Sequence, residues 1–327
     1  MVFSLSLSQI RNFDMIKRLV CFAVVLAFGT TASAQYRQLQ YAAMMTHDAN
    51  TVRYASQDRV SQYFLNNGAY GTGCNNFGLT GNKVWSNWVT SGNEIEFGGS
   101  NANSDTNGVQ VGADIFSNKT TLVGLVGGYG YTEYEADGVK YDIDAKDYYF
   151  GIYGAKLFSN CVDMRLCAGY GAQKYSPFNL DTVKGKTFET TLEFGRRYYM
   201  NRCWSFRPFA GLDWFTNNAQ ERGWNHELTQ VMGRIGSDVQ YTRDCWNLNG
   251  GLHYAYQLNE NAMYNLASNA YNFDLGRSVL TFNAGTTVYL DKCKKWSLFA
   301  TYYGDCYADR DNTPWRHTGM VGAGYRF

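Results

Sequence analysis

The chain has 327 residues, with 17% aromatic and 17% charged side chains, and its 29 Lys plus Arg nearly cancel its 28 Asp plus Glu. That balance offers no cationic surface for a phosphate backbone, and an apolar content of 45% is too high for a disordered chain. A mean hydropathy of −0.37 excludes a bundle of membrane helices, while 26 Tyr, 20 Phe and 34 Gly point to strands and tight turns.

Lys17 and Arg18 stand before an apolar run from Leu19 to Gly29, followed by Ala32-Ser33-Ala34. A basic start, a short apolar core and a small-x-small end predict a secretory signal peptide over residues 1–34, cleaved after Ala34, with Met15 as an alternative start. The run is well short of the roughly 20 residues that a membrane helix needs. Losing Arg11, Lys17, Arg18 and Asp14 with the signal leaves a mature chain with one net negative charge. Seven cysteines remain, at 74, 161, 167, 203, 245, 293 and 306, and none form Cys-x-x-Cys, so no zinc ribbon or thioredoxin motif is present.

Residues 35–81 read as a short helical and linker segment. Val52, Ala55, Val60, Tyr63 and Phe64 recur at near-helical spacing, and the stretch 71–81 is rich in Gly and Asn. From residue 82 to 327 the pattern changes to alternation. Leu280, Phe282, Ala284, Thr286, Val288 and Leu290 share one face of a strand, while Thr281, Asn283, Gly285 and Thr287 share the other. Twelve such segments are predicted, with cores at 84–93, 107–117, 120–132, 146–158, 162–174, 187–199, 204–216, 245–258, 262–273, 278–290, 296–307 and 317–327. Short connections, at 117–119, 159–161, 200–203, 259–261 and 291–295, alternate with longer ones at 94–106, 133–145, 175–186, 217–244 and 308–316. The connection after 273 is short and breaks the rule. Short periplasmic turns opposite longer external loops are the habit of outer-membrane barrels. The non-apolar face carries Asp114, Asp163, Arg165, Glu193, Arg207 and Asp213, which suits a wet lumen better than the outside of a soluble sandwich. The expectation is an all-β fold: a twelve-stranded antiparallel transmembrane β-barrel in contact with outer-membrane lipid. Those six charged residues are expected to form a structural network in the lumen.

Several pieces resemble the autotransporter β-domain, the translocator barrel of type V secretion. They are Val84-Trp85-Ser-Asn-Trp88, Gly108-Val-Gln-Val-Gly112-Ala-Asp114, Gly124-Leu-Val-Gly-Gly128-Tyr129, Phe150-Gly151-Ile-Tyr153-Gly154, Glu193-Phe-Gly195, Pro208-Phe-Ala-Gly-Leu212, Leu248-Asn-Gly-Gly251 and the final Gly324-Tyr-Arg-Phe327. No single piece is specific; their order over residues 82–327 carries the resemblance. It implies that Val321, Ala323, Tyr325 and Phe327, which share one face, form the C-terminal signal read by the barrel-assembly machinery. It also implies that a helix before the first strand occupies the pore, a role that residues 50–67 are placed to fill. The family commonly carries a long passenger, and here only residues 35–81 are available, so no sizeable passenger is expected. Asn66-Asn67 and Asn75-Asn76 match the self-cleavage step of some members, but read more simply as turn residues.

No cofactor, metal or nucleic-acid partner is expected, and the barrel is expected to be a monomer. His-Glu-x-x-His and Gly-x-Ser-x-Gly are absent, and Gly185-Lys186-Thr187 lacks the first Gly of a phosphate loop. Two alternatives to a structural or translocation role stay open: a small-solute, porin-like channel, and a rim protease using Asp305, Asp309 and His317. Among the thiols, Cys161, Cys203 and Cys293 are placed at the periplasmic rim and Cys245 and Cys306 at the external one. This allows Cys161–Cys203 or Cys245–Cys306 bonds, or free thiols throughout, and no bond between rims.

Overall fold

The computed structural model describes Arg59 and residues 81–97, 100–136, 143–177, 182–221, 224–259, 263–266, 269–272, 278–307 and 315–327. The predicted signal peptide and, Arg59 apart, the predicted helix over 50–67 lie outside the described residues, as do both Asn-Asn pairs.

The strands are β1 (Lys83–Phe97), β2 (Ser100–Ser117), β3 (Thr121–Ala136), β4 (Ile143–Leu157), β5 (Val162–Pro177), β6 (Val183–Arg196), β7 (Tyr198–Tyr199), β8 (Trp204–Glu221), β9 (Trp224–Arg243), β10 (Trp246–Gln257), β11 (Met263–Leu266), β12 (Asn269–Asn272), β13 (Ser278–Tyr289), β14 (Trp296–Tyr307) and β15 (Trp315–Arg326). Neighbours pair antiparallel around a ring that closes where β1 meets β15, in a register running from Lys83 opposite Arg326 to Glu94 opposite Trp315. The two-residue β7 continues β6 past Arg197 along the same partner, β8, so the wall has twelve staves. Among the described residues no helix is long and apolar enough to cross a membrane; this chain crosses with strands.

Two of the predicted segments need correction. The predicted strand over 262–273 is not part of the wall: β11 and β12 pair only with each other, as a small hairpin. The missing stave is β9, which fills most of the predicted loop 217–244 and pairs with both β8 and β10. Its outward positions include Thr229, Gly233 and Ser237 between Val231, Ile235 and Val239, so its apolar face is too broken to read. Moving the stave removes the exception after 273, but the predicted long connections 94–106 and 217–244 shrink to two residues each, 98–99 between β1 and β2 and 222–223 between β8 and β9, because the strands run on past the predicted bounds. The short turns 118–120, 158–161, 200–203, 244–245 and 290–295 now all lie at one end, and the predicted short turn 259–261 becomes part of a long connection, 258–277, at the other.

Side-chain acceptors close these turns. Asn118 Oδ1 accepts from the Thr120 and Thr121 N–H groups at 2.9 and 2.8 Å, and Asn201 Oδ1 accepts from Cys203 and Trp204 at 2.8 and 2.9 Å. Asp291 Oδ1 accepts from Trp296 N–H at 2.8 Å, and that bond holds its carboxyl below the usual carboxylate range. The left-handed backbone falls in the same turns, at Cys161, Asp244 and Lys294.

Turn placement also corrects the thiols. Cys245 follows Asp244 in the β9–β10 turn, on the same rim as Cys161, Cys203 and Cys293, whereas Cys306 lies at the loop end of β14. Cys161 is disulfide-bonded, to a partner outside the described residues, and Cys167, Cys203, Cys245, Cys293 and Cys306 are free. Neither the Cys161–Cys203 nor the Cys245–Cys306 bond forms, and the cysteines are not all free.

Burial is inverted relative to a water-soluble domain. Val111, Phe150, Ile152, Leu212, Ile235, Leu252 and Leu298 are exposed, while Asn87, Gln110, Asp163, Arg207, Gln240 and Asn247 are buried. An apolar outer face with a polar inner one is stable where the outside is lipid. With no free edge, the wall should resist detergent: refolded protein is expected to migrate faster unboiled than boiled on a detergent gel, and equal mobility would contradict closure.

Candidate functional site: the barrel interior

Two charged clusters occupy the inner face. The first is built on Asp114, near the turn end of β2, where a register shift between Asp114 and Phe116 marks a bulge that re-aims the strand. Asp114 accepts from the Lys83 backbone N–H at 3.0 Å and from the Tyr153 hydroxyl at 2.8 Å, and Tyr153 accepts from the Trp85 indole at 3.0 Å. The third partner of Asp114 comes from far upstream. Arg59, helical and buried, places Nε 3.0 Å from Asp114 Oδ1 and Nη2 in close contact with Oδ2. Tyr153 lies flat on β3 because Gly124 has no side chain; a Cβ there would fall 2.2 Å from the Tyr153 ring. Around this cluster the inner wall is apolar, with Trp85, Val89, Leu122, Val126, Tyr153 and Met320 buried together.

The second cluster lies on β5, β6, β8 and β9, with Arg207 at its centre. Arg207 Nε donates to both Asp163 oxygens, at 3.0 and 2.9 Å, and Nη1 donates to Glu193 at 2.6 Å and to Asp238 at 3.3 Å. Arg165 stands 3.3 Å from Asp163 and 3.7 Å from Glu193, and Arg234 stands 3.1 Å from Glu193 and 3.4 Å from Asp213. Arg197, where β6 breaks, reaches Gln240 and Ser205. Four carboxylates thus face four guanidinium groups. Arg207 fits because Gly195 on the neighbouring β6 has no side chain; a Cβ there would fall 2.4 Å from the guanidinium carbon. Phe209 lies beneath Arg207 and Arg234, 5.3 and 5.5 Å from ring centre to guanidinium carbon.

All six charged residues named from the alternation are buried. Arg207 and four of the others form one cluster, and Asp114 stands apart. Arg59, Arg197, Arg234 and Asp238 were not named. Asp238 and Arg234 lie on β9, where the sequence predicts a loop, and their even-numbered spacing puts them on its inner face. At the loop end of the wall, Arg316 Nε donates to Asp305 at 2.8 Å and Thr281 donates at 2.5 Å, both inside, while His317 is exposed. Asp309 is outside the described residues. Among the described residues no three His, Cys, Asp or Glu side chains converge as metal ligands.

The sequence matches the autotransporter beta-domain family over residues 84–303. The chain belongs to the autotransporter β-domain family. Similar solved structures agree in fold. The translocator domain of autotransporter NalP from Neisseria meningitidis is 17% identical, with 85% of this chain and 98% of that one covered and a TM-score of 0.56. The transport unit of AIDA-I from Escherichia coli is 11% identical, covering 83% and 98%, with a TM-score of 0.56. The β-domain of the Bordetella autotransporter BrkA is 18% identical, covering 76% and 100%, with a TM-score of 0.53. No curated protein sequence matches the chain. The autotransporter β-domain is a translocator of the outer membrane, and its outer face meets lipid.

The central guanidinium is the most exacting part of this interior. Changing Arg207 to Met leaves Asp163 and Glu193 short of their main partner, and should cost about 3–5 kcal/mol in the urea stability of the refolded barrel. Arg207→Lys should recover only part of it, because an ammonium cannot fork between two carboxylates. A Met variant as stable as the parent would show that the cluster contributes nothing to the fold.

Proposed function

We propose that this chain is an exported, self-plugged autotransporter-type barrel with a structural or surface role, and neither an open solute channel nor an enzyme. The observation that carries the reading is the bond between Arg59 and Asp114: a residue well ahead of β1 is buried against the inner face of β2. Barrel size agrees. About eight strands enclose only side chains, and about sixteen or more leave an aqueous channel. Twelve lies between, with room for one helix, and the apolar patch around Trp85, Leu122 and Met320 offers such a helix a surface to pack on.

In this reading the signal peptide is cleaved after Ala34, residues 35–81 enter the lumen, and the Arg207 cluster braces the β5–β9 side of the wall. Val321 and Phe327, 65% and 64% exposed, lie on the lipid face of the last strand with Ala323 and Tyr325, where the assembly machinery would read them. The barrel works as a monomer. Asp305 speaks against a rim protease: it is held by Arg316 and Thr281 inside the wall, with His317 on the outside, so the two cannot share a substrate.

Conductance tests the plug. In planar bilayers the full mature chain should conduct little, and deletion of residues 35–81 should raise single-channel conductance several-fold. Equal conductance of the two would remove the plug, and a large conductance in the full chain would favour the solute channel.

A further inference from the structure

At the loop end of the wall the lipid-facing side carries a row of like charges. Lys146 on β4 is directly opposite Lys174 on β5, and Lys174 is directly opposite Lys184 on β6. Lys186 lies two residues along the same face of β6, one step nearer the membrane centre. All four are exposed, and among the described residues none lies within ion-pair distance of a carboxylate. Like charges directly opposite across a ladder repel and destabilise the sheet. Three in a row, on adjacent strands about 4.8 Å apart, therefore favour an anion beside them. Among the described residues the nearest acids on that face are Asp144, two residues beyond Lys146, and Glu133 opposite Asp144.

Just below the lysines is an aromatic band. Tyr129 and Tyr148 have ring centres 5.2 Å apart, Phe150 pairs with Tyr170, and Phe188 and Trp214 have ring centres 5.5 Å apart. Aromatic girdles mark the level where hydrocarbon gives way to headgroups. The short turns face the periplasm, so this end faces out, and the lysines sit at the headgroup level of the outer leaflet.

We propose that Lys146, Lys174, Lys184 and Lys186 form a binding site for the phosphates of an outer-leaflet phosphorylated glycolipid, whose acyl chains lie along Tyr148, Phe150 and Tyr170. The proposal rests on the outer-membrane placement of the barrel and not on the plug. The row spans three staves, which matches a headgroup bearing two separated phosphates better than a single small ion.

Native mass spectrometry of the refolded full chain tests the site, with lipid A bearing two phosphates as probe and its phosphate-free counterpart as comparison. A triple Lys146→Gln, Lys174→Gln, Lys184→Gln variant should lose affinity for the diphosphorylated lipid roughly a hundredfold, taking about fivefold for each lysine near a charged headgroup. The triple Arg variant should retain it, as should Lys119→Gln with Lys292→Gln in the periplasmic turns. Faster migration of each unboiled variant keeps failure of the site distinct from failure of the barrel. Undiminished binding by the triple Gln variant, or equal binding of the phosphate-free lipid, would overturn the proposal. Full displacement by millimolar inorganic phosphate would also overturn it, by showing a free-anion site instead of a lipid one.

Discussion

The pairing of β1 with β15 is the constraint on which the rest depends. A sheet in lipid cannot leave an edge unpaired, because each bare N–H or C=O there would cost several kcal/mol. Closing the first stave on the last removes both edges together, and it fixes what each side chain can do. Alternation sends every second residue into hydrocarbon and every other one into a confined interior. Val111, Ile152, Leu212 and Leu298 take the outer positions. The inner positions take Asn, Gln, Thr, Asp and Arg, which then have to satisfy one another.

That interior has a space problem and a charge problem, and the same residues meet both. Large side chains must lie along the inner wall, so glycine stands beneath them, as Gly124 does for Tyr153 and Gly195 for Arg207. Charges far from bulk water must be matched, so the carboxylates at 163, 193, 213 and 238 stand among the guanidinium groups of Arg165, Arg197, Arg207 and Arg234. Asp114 differs because, among the described residues, no arginine of the wall forms an ion pair with it. Its guanidinium comes from Arg59, and the barrel's balance of charge on that side depends on chain that precedes the barrel.

The staves legible in the sequence are those whose outer face is mostly apolar, such as β13 with Leu280, Phe282, Ala284 and Val288 around a single Thr286. β9 was not legible, because Gly233 and Ser237 interrupt its outer face and the inner face is as polar as a loop. The alternation of 262–273 looks like a stave, but β11 and β12 are too short to span a membrane. Alternation names residues that turn inward but carries no register. The meeting of Arg207 with Asp163, 44 residues away, became visible only once the strands were paired. Arg59 was the least legible: nothing in a near-helical segment shows which wall residue it meets.

The central claim is that the chain before β1 is bound inside the barrel through Arg59 and Asp114. A double-mutant cycle measures it directly, with Arg59→Met, Asp114→Asn and the pair compared in urea unfolding of the refolded full chain. The account predicts a coupling of about 2 kcal/mol, in the range found for side chains in direct contact. Strictly additive effects of the two substitutions would contradict it.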